Sequence, residues 1–192
     1  MIKAIIFDCF GVLTSDGWLE FVRTKISDPD KQQLAHDLNK QANIGSISYK
    51  QFVDQVAVLA GLDAAQAHIV LDTHVANSQL FSKITELKST YKIGVLSNAS
   101  EDWMDVLFTE QQRALFDGVV LSFEVGAAKP HPKAYHAICD KLHVLPQEAI
   151  FVDDIERYAT GAKDIGMKGV WFRDNQQLFT ELEMLLATDS NS

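Results

Sequence analysis

At 192 residues, with 47% hydrophobic and 22% charged side chains, the chain has an ordinary globular composition and is long enough to bury a sizeable core. A formal charge of −9 argues against nucleic acid or an anionic membrane as partner, and no apolar stretch reaches the roughly 20 residues of a membrane helix. An anionic substrate would need a metal ion or local cations to correct that charge, and an N-terminus without a secretory-signal pattern gives the cytoplasm as the expected location.

The first expected element is a strand over residues 2–7, an apolar run that ends at Asp8. Cys9 follows; with Cys139 it is one of only two cysteines, each expected as a small core side chain. Residues 15–77 read as helix throughout. Asp28-Pro29 supplies an N-cap and a proline at the first helical position. Ser48 to Gln51 forms a capping box, and Asp63 to Gln66 resembles one. Gly61 is placed to end the helix that carries Phe52, Val53, Val56 and Leu59.

Beyond this insertion, Leu80, Ile84 and Leu87 share a helical face, as do Tyr135, Ile138 and Leu142. Four more short apolar runs, 93–96, 119–121, 150–152 and 169–172, read as buried strands. Met184 and Leu185 in the last helix read as core, and the polar residues 187–192 as a frayed end. Strands alternating with helices predict an α/β, Rossmann-like doubly wound parallel sheet with an inserted helical bundle. The expected core is 1–14 with 78–192 and the insertion 15–77, above the carboxyl ends of the strands, where ligands bind in such sheets.

Those carboxyl ends carry the polar residues. Asp8 follows the first strand, Ser97-Asn98 the second, Lys129-Pro130 comes in the loop after the third, and Asp153-Asp154 ends the fourth. Singly, each reads as turn or cap chemistry. Four in order, each after a different strand, point to one rim.

The stretches Phe7-Asp8-Cys9-Phe10-Gly11-Val12-Leu13, Leu96-Ser97-Asn98, Lys129-Pro130-His131-Pro132-Lys133-Ala134-Tyr135 and Phe151-Val152-Asp153-Asp154 together resemble the four motifs of the haloacid dehalogenase-like hydrolases. The insertion resembles the small helical cap of one subgroup. The resemblance implies Asp8 as nucleophile, Lys129 as charge neutraliser, and Ser97 with Asn98 as phosphoryl holders. It implies Mg²⁺ bound by Asp8, the backbone carbonyl of Phe10, Asp154 and Asp153, and a small anionic metabolite as substrate. Such a carboxylate attacks phosphorus and splits one displacement into two, and Mg²⁺ favours oxygen ligands.

One position departs from the pattern. Phosphatases of the family usually carry a second aspartate two residues after the first, as general acid and base, and here Phe10 stands instead. Positioned acid–base help is worth about 10²–10⁴-fold. An aromatic residue there is also similar to the metal-independent 2-haloacid dehalogenases, as is the spacing of Lys129 to Tyr135. Against that stand Asp153-Asp154 and the lack of an equivalent cap arginine, since Arg23 alone occurs in the insertion. A protein that binds a phosphorylated ligand or partner without turnover is a third reading. Trp18 either faces substrate beneath the cap or packs helix on core, and His131 is either a proton donor or a solvated loop residue. Substrate identity and oligomeric state leave no mark in the sequence.

Overall fold

All four residues of β1 (Ala4–Phe7) are buried, so this strand has no face to offer solvent and must lie in the middle of a sheet. The computed structural model, which describes residues 1–189, places it there. The sheet has the order β3-β2-β1-β4-β5, with β2 at Lys92–Ser97, β3 at Gly118–Leu121, β4 at Ala149–Asp153 and β5 at Lys168–Trp171. Every pairing is parallel, with Phe7 beside Val95 on one side and Val152 on the other. The predicted strands are all present, within two residues at each end.

Successive β1 side chains point to opposite faces, and the two faces feed separate cores. Ile5 and Phe7 join Ile93, Val95, Ile150 and Val152 under α5 (Ser78–Leu87) and α11 (Asn175–Asp189). Ala4 and Ile6 join Leu96 and Phe151 under α9 (Pro132–Leu142) and α10 (Glu156–Asp164). The expected faces Leu80/Ile84/Leu87 and Tyr135/Ile138/Leu142 are buried as read. Met184 is a correction: it is 57% exposed, while Leu185 packs at the edge of the first core. Helix α11 continues to Asp189; residues 190–192 of the expected frayed end lie outside the described residues. Both cysteines are buried and free.

Between β1 and α5 run α1 (Gly17–Lys25), α2 (Pro29–Asn43), α3 (Tyr49–Ala60) and α4 (Ala64–Leu71). Asp28 caps α2, Ser48 and Asp63 form complete capping boxes on α3 and α4, and Gly61 ends α3 in the left-handed region at φ 69°. These helices close over a third core containing Phe21, Ile26, Phe52, Val53, Val56 and Leu71, distinct from the two that flank the sheet. Entry and exit are zipped together: Ser15 N donates to Val75 O at 3.1 Å and Asn77 N to Leu13 O at 2.9 Å. The remaining helices are short: α6 (Met104–Leu107), α7 (Glu110–Arg113) and α8 (Ser122–Val125). No helix among the described residues is long and apolar enough to cross a membrane.

Just before β3, Asp117 accepts from Ile93 N at 2.7 Å and pairs with Lys88 Nζ at 2.5 Å, tying α5, β2 and β3 together. Burial pushes its carboxyl up, but the Lys88 hydrogen bond and the Ile93 N–H outweigh it and hold the pKa below the usual value. A depressed carboxylate stabilises the fold above its unfolded pKa of about 4 and loses that contribution as pH falls through its folded value. Asp117→Asn is expected to melt below the parent at pH 7, by less than about 1 kcal/mol given the exposure of the pair. In thermal melts over a pH series, the gap should close as the solution is acidified.

Candidate active site

Strand order reverses on either side of β1, so β1 and β4 part at their carboxyl ends and open a crevice. Asp8 stands on one lip, its N–H bonded to Val152 O at 2.8 Å, and Asp153 and Asp154 on the other. Between them lies the Lys129 ammonium, 2.7 Å from Asp8 Oδ1 and 2.6 Å from Asp153 Oδ2. Its side chain is 1% exposed and rests over the rings of Phe151 and Tyr158. Asp153 also caps the following turn, accepting from Ile155 N at 2.9 Å.

Lys129 reaches this point because Asn98 grips its backbone. Asn98 Oδ1 accepts from Lys129 N at 2.7 Å, and Nδ2 donates to Lys129 O at 3.2 Å. Thus the loop after β2 positions the loop after β3. Ser97, beside it, is buried with its hydroxyl unpartnered among the described residues.

Charge within the crevice does not balance. Carboxylate oxygens of Asp8, Asp153 and Asp154 lie within 4.8 Å of one another, against one ammonium. Burial pushes the Asp8 carboxyl well up; Lys129 opposes this, and the charges of Asp153 and Asp154 add to it. Burial also lifts Asp154, to about 6, helped by Asp153 and Asp16. For Lys129, burial works against the ammonium, but Asp153 and Asp8 more than offset it and its pKa rises. One Asp154 oxygen is buried and unpartnered among the described residues. Three carboxylates, an excess charge of −2 and an orphaned oxygen suit a hard divalent cation with oxygen ligands. Gly11 leaves room for this arrangement: at φ +88° its added Cβ would lie 2.3 Å from Asp154 Oδ2.

Above the crevice a cavity of about 880 Å³ opens between the sheet and the inserted helices, lined by Asp8, Asn98 and Lys129 on its floor. The three residues left open by sequence, Phe10, Trp18 and His131, all line it. Phe10 turns its ring toward His74, at a 5.3 Å centroid distance. Trp18 lines the cavity and packs on Phe52, at 5.3 Å, within the cluster of the inserted helices. His131 lines the cavity as the N-cap of α9, a ring nitrogen accepting from Lys133 N at 3.2 Å. Neither Tyr135, whose spacing fits a haloacid site, nor Arg23, the one arginine of the insertion, lines the cavity. Tyr135 is buried, with its hydroxyl donating to Tyr158 O at 2.8 Å, and Arg23 pairs with Glu20 on the exposed side of α1.

Asp16, His74, Tyr49 and Trp103 also line the cavity, and sequence reading missed all four. Asp16 carries a local signal of another kind, as the N-cap of α1, accepting from Trp18 N and Leu19 N. Burial raises its carboxyl, against those two N–H groups and His74.

The sequence model of haloacid dehalogenase-like hydrolases matches residues 2–166. A glyceraldehyde 3-phosphate phosphatase of Pyrococcus furiosus is 34% identical over half of this chain. The chain spans 41% of that enzyme's length, and 20% of another curated relative's. A D-ribitol-5-phosphate phosphatase of Bacteroides thetaiotaomicron is 26% identical over 88% of this chain and 90% of its own. Among solved structures, a Bacteroides thetaiotaomicron enzyme of the same family, in complex with magnesium and inorganic phosphate, superposes with a TM-score of 0.74. It covers 93% of this chain and all of its own at 21% identity, a likeness of fold. The chain belongs to the haloacid dehalogenase-like hydrolases.

The Asn98 clamp yields a test. Asn98→Ala leaves the Lys129 N–H and C=O without their side-chain partners and should cost about 1–3 kcal/mol. Urea denaturation measures the loss. Asn98→Asp keeps an acceptor for Lys129 N but sets a carboxylate oxygen against Lys129 O and adds to the excess negative charge, so it should lose at least as much.

Proposed function

We propose that this hydrolase is a Mg²⁺-dependent phosphatase of small phosphorylated metabolites that works through Asp8. The observation that carries the reading is the Lys129 ammonium held between Asp8 and Asp153, with Asp154 alongside, at the crevice between β1 and β4. A carboxylate at the end of a strand, beside a buried ammonium and beneath a cavity, suits in-line attack on phosphorus.

Asp8 Oδ would attack the phosphorus atom, and the bond to the leaving oxygen would break, giving an aspartyl-phosphate. Lys129 offsets charge on the transferring group. Ser97 Oγ, buried and unpartnered among the described residues, and the backbone amides around Asn98 would hold the phosphoryl oxygens. Water then attacks the aspartyl-phosphate, releasing inorganic phosphate and restoring the carboxylate. Asp8, the Phe10 carbonyl, Asp154 and Asp153 would hold Mg²⁺, which supplies the positive charge that lets one anion approach another. The four inserted helices, residues 15–77, would act as a cap that shields these steps from bulk water over a core of 1–14 and 78–192. Metal-independent haloacid chemistry has less support, because Tyr135 and Arg23 are committed elsewhere.

Acetyl phosphate tests the reading, since its leaving group needs no proton donor. Phosphate release is expected with Mg²⁺, should vanish in EDTA, and should fall by about 10³-fold or more in Asp8→Asn. Turnover that survives chelation, or that ignores the Asp8 change, would sink the mechanism. Thermal stabilisation by phosphate without any turnover would favour the binding-only reading.

A further inference from the structure

Six rings drawn from distant parts of the chain form one continuous wall of the cavity. Along the series, centroid distances are 5.3 Å for Phe10–His74, 6.5 Å for His74–Trp103, 4.6 Å for Trp103–Tyr49, 6.0 Å for Tyr49–Phe52 and 5.3 Å for Phe52–Trp18. All six line the cavity. The Tyr49 hydroxyl is committed to Asp72, so Tyr49 offers the cavity a ring rather than a donor.

The wall begins at the position that lacks a proton donor. Phe10 cannot protonate a departing oxygen, and its ring is the first member of the aromatic series. An enzyme without that donor favours a leaving group that departs as a stable anion. A phenol, with a pKa near that of tyrosine at about 10, is such a group; an ordinary alcohol, near water at about 15.7, is not. A phenol is also flat, with faces that stack on rings. Against the carbon rings of this wall a polyol's hydroxyls find few partners and would have to turn to the cavity's polar residues, Asp16, Asn39 and Asn43 among them. The cavity volume of about 880 Å³ lies toward the top of the roughly 300–1,000 Å³ range of ligand pockets, more than a triose phosphate fills. Asn39 and Asn43 line the same cavity and offer amide groups to substituents on such a ring.

We infer that the substrate class of this site is an aryl phosphate: a phosphomonoester whose leaving group is an aromatic hydroxyl stacked on the Phe10–Trp18 wall. The inference rests on the phosphatase reading of Asp8. In the first step the Asp8–phosphorus bond forms and the phosphorus–aryl oxygen bond breaks. The bonding pair leaves on the phenolate, which takes its proton from water. The second step hydrolyses the aspartyl-phosphate as above.

The test uses the whole chain with Mg²⁺ and four kinds of probe: substituted phenyl phosphates, 1-naphthyl phosphate, glycerol 3-phosphate, and acetyl phosphate as a measure of competence. Phenyl phosphate is expected to exceed glycerol 3-phosphate in kcat/KM by about 10²-fold or more. Rates should rise steeply as the leaving phenol becomes more acidic. Phe10→Asp should flatten that dependence and raise turnover of glycerol 3-phosphate. Naphthyl phosphate, with a leaving group of nearly the acidity of phenol, should show a lower KM, which reports stacking alone. Trp103→Ala should lower kcat/KM for phenyl phosphate about tenfold more than for acetyl phosphate, and Trp103→Phe should restore most of the difference. Equal kcat/KM for phenyl and glycerol phosphates, with acetyl phosphate turned over, overturns this inference and leaves the phosphatase reading standing. No turnover of any probe, acetyl phosphate included, overturns both.

Discussion

A buried ammonium between two buried carboxylates is the constraint on which the rest of the site depends. Lys129 Nζ meets Asp8 and Asp153 at hydrogen-bond distance, in a place where all three side chains are nearly sealed from solvent. Breaking such a pair from one side leaves a stranded charge, at about 3–5 kcal/mol. So the ends of β1 and β4 and the loop after β3 must keep their relative positions. Asn98 extends the same requirement to β2, because its amide holds the backbone of Lys129 from both sides. Four separate carboxyl ends are thereby locked to one another by polar contacts, while the apolar cores beneath set only the sheet. The lock is left short of positive charge. Burial raises the Asp8 carboxyl, the neighbouring Asp153 and Asp154 charges add to the rise, and the uncompensated charge suits the crevice to a cation.

Most of this part of the protein was legible in the sequence because its carboxylates and Ser97 stand at or just beyond an apolar run, while Lys129 lies in the loop eight residues past β3. Asp8, Ser97 and Asp153 are all found by reading to the end of a buried strand. The inserted helices were legible through their stop and start chemistry, which is local: Asp28, Ser48, Gly61 and Asp63 act on groups within a few residues. The aromatic wall was not. Phe10, Trp18, Tyr49, Phe52, His74 and Trp103 share no period and come from segments that meet only once the chain is folded. Asp16 shows how one signal hides another, since a carboxylate that caps a helix gives no sign that it also borders a cavity. Tyr135 shows the reverse. Its spacing from Lys129 suggested chemistry, but burial in the sheet's lower core gave its hydroxyl a backbone partner instead. Met184 fell on the solvent side of α11, a helix whose apolar residues are spread too evenly for the sequence to rank its faces.

The two halves of the site differ in how much they specify. The floor is charge and hydrogen bonds, built from Asp8, Asn98, Lys129 and Asp153. Above it the cavity is lined by rings and amides, which on the proposed reading would hold the part of a substrate that never reacts. Phe10 belongs to both: its backbone is part of the floor and its ring begins the wall. A single side chain thus joins the absence of a proton donor to the presence of a stacking surface.

The insertion leaves and rejoins the core through segments hydrogen-bonded to each other, Leu13 with Asn77 and Ser15 with Val75. To the sheet, everything between those contacts is a closed loop whose ends already touch. Extending such a loop adds little, about 0.6 kcal/mol for each doubling of length. Its hydrophobic cluster is also its own rather than borrowed. The doorway therefore sets little limit on the length of the excursion: its two ends, and the strand end beside them, keep their places whatever lies between.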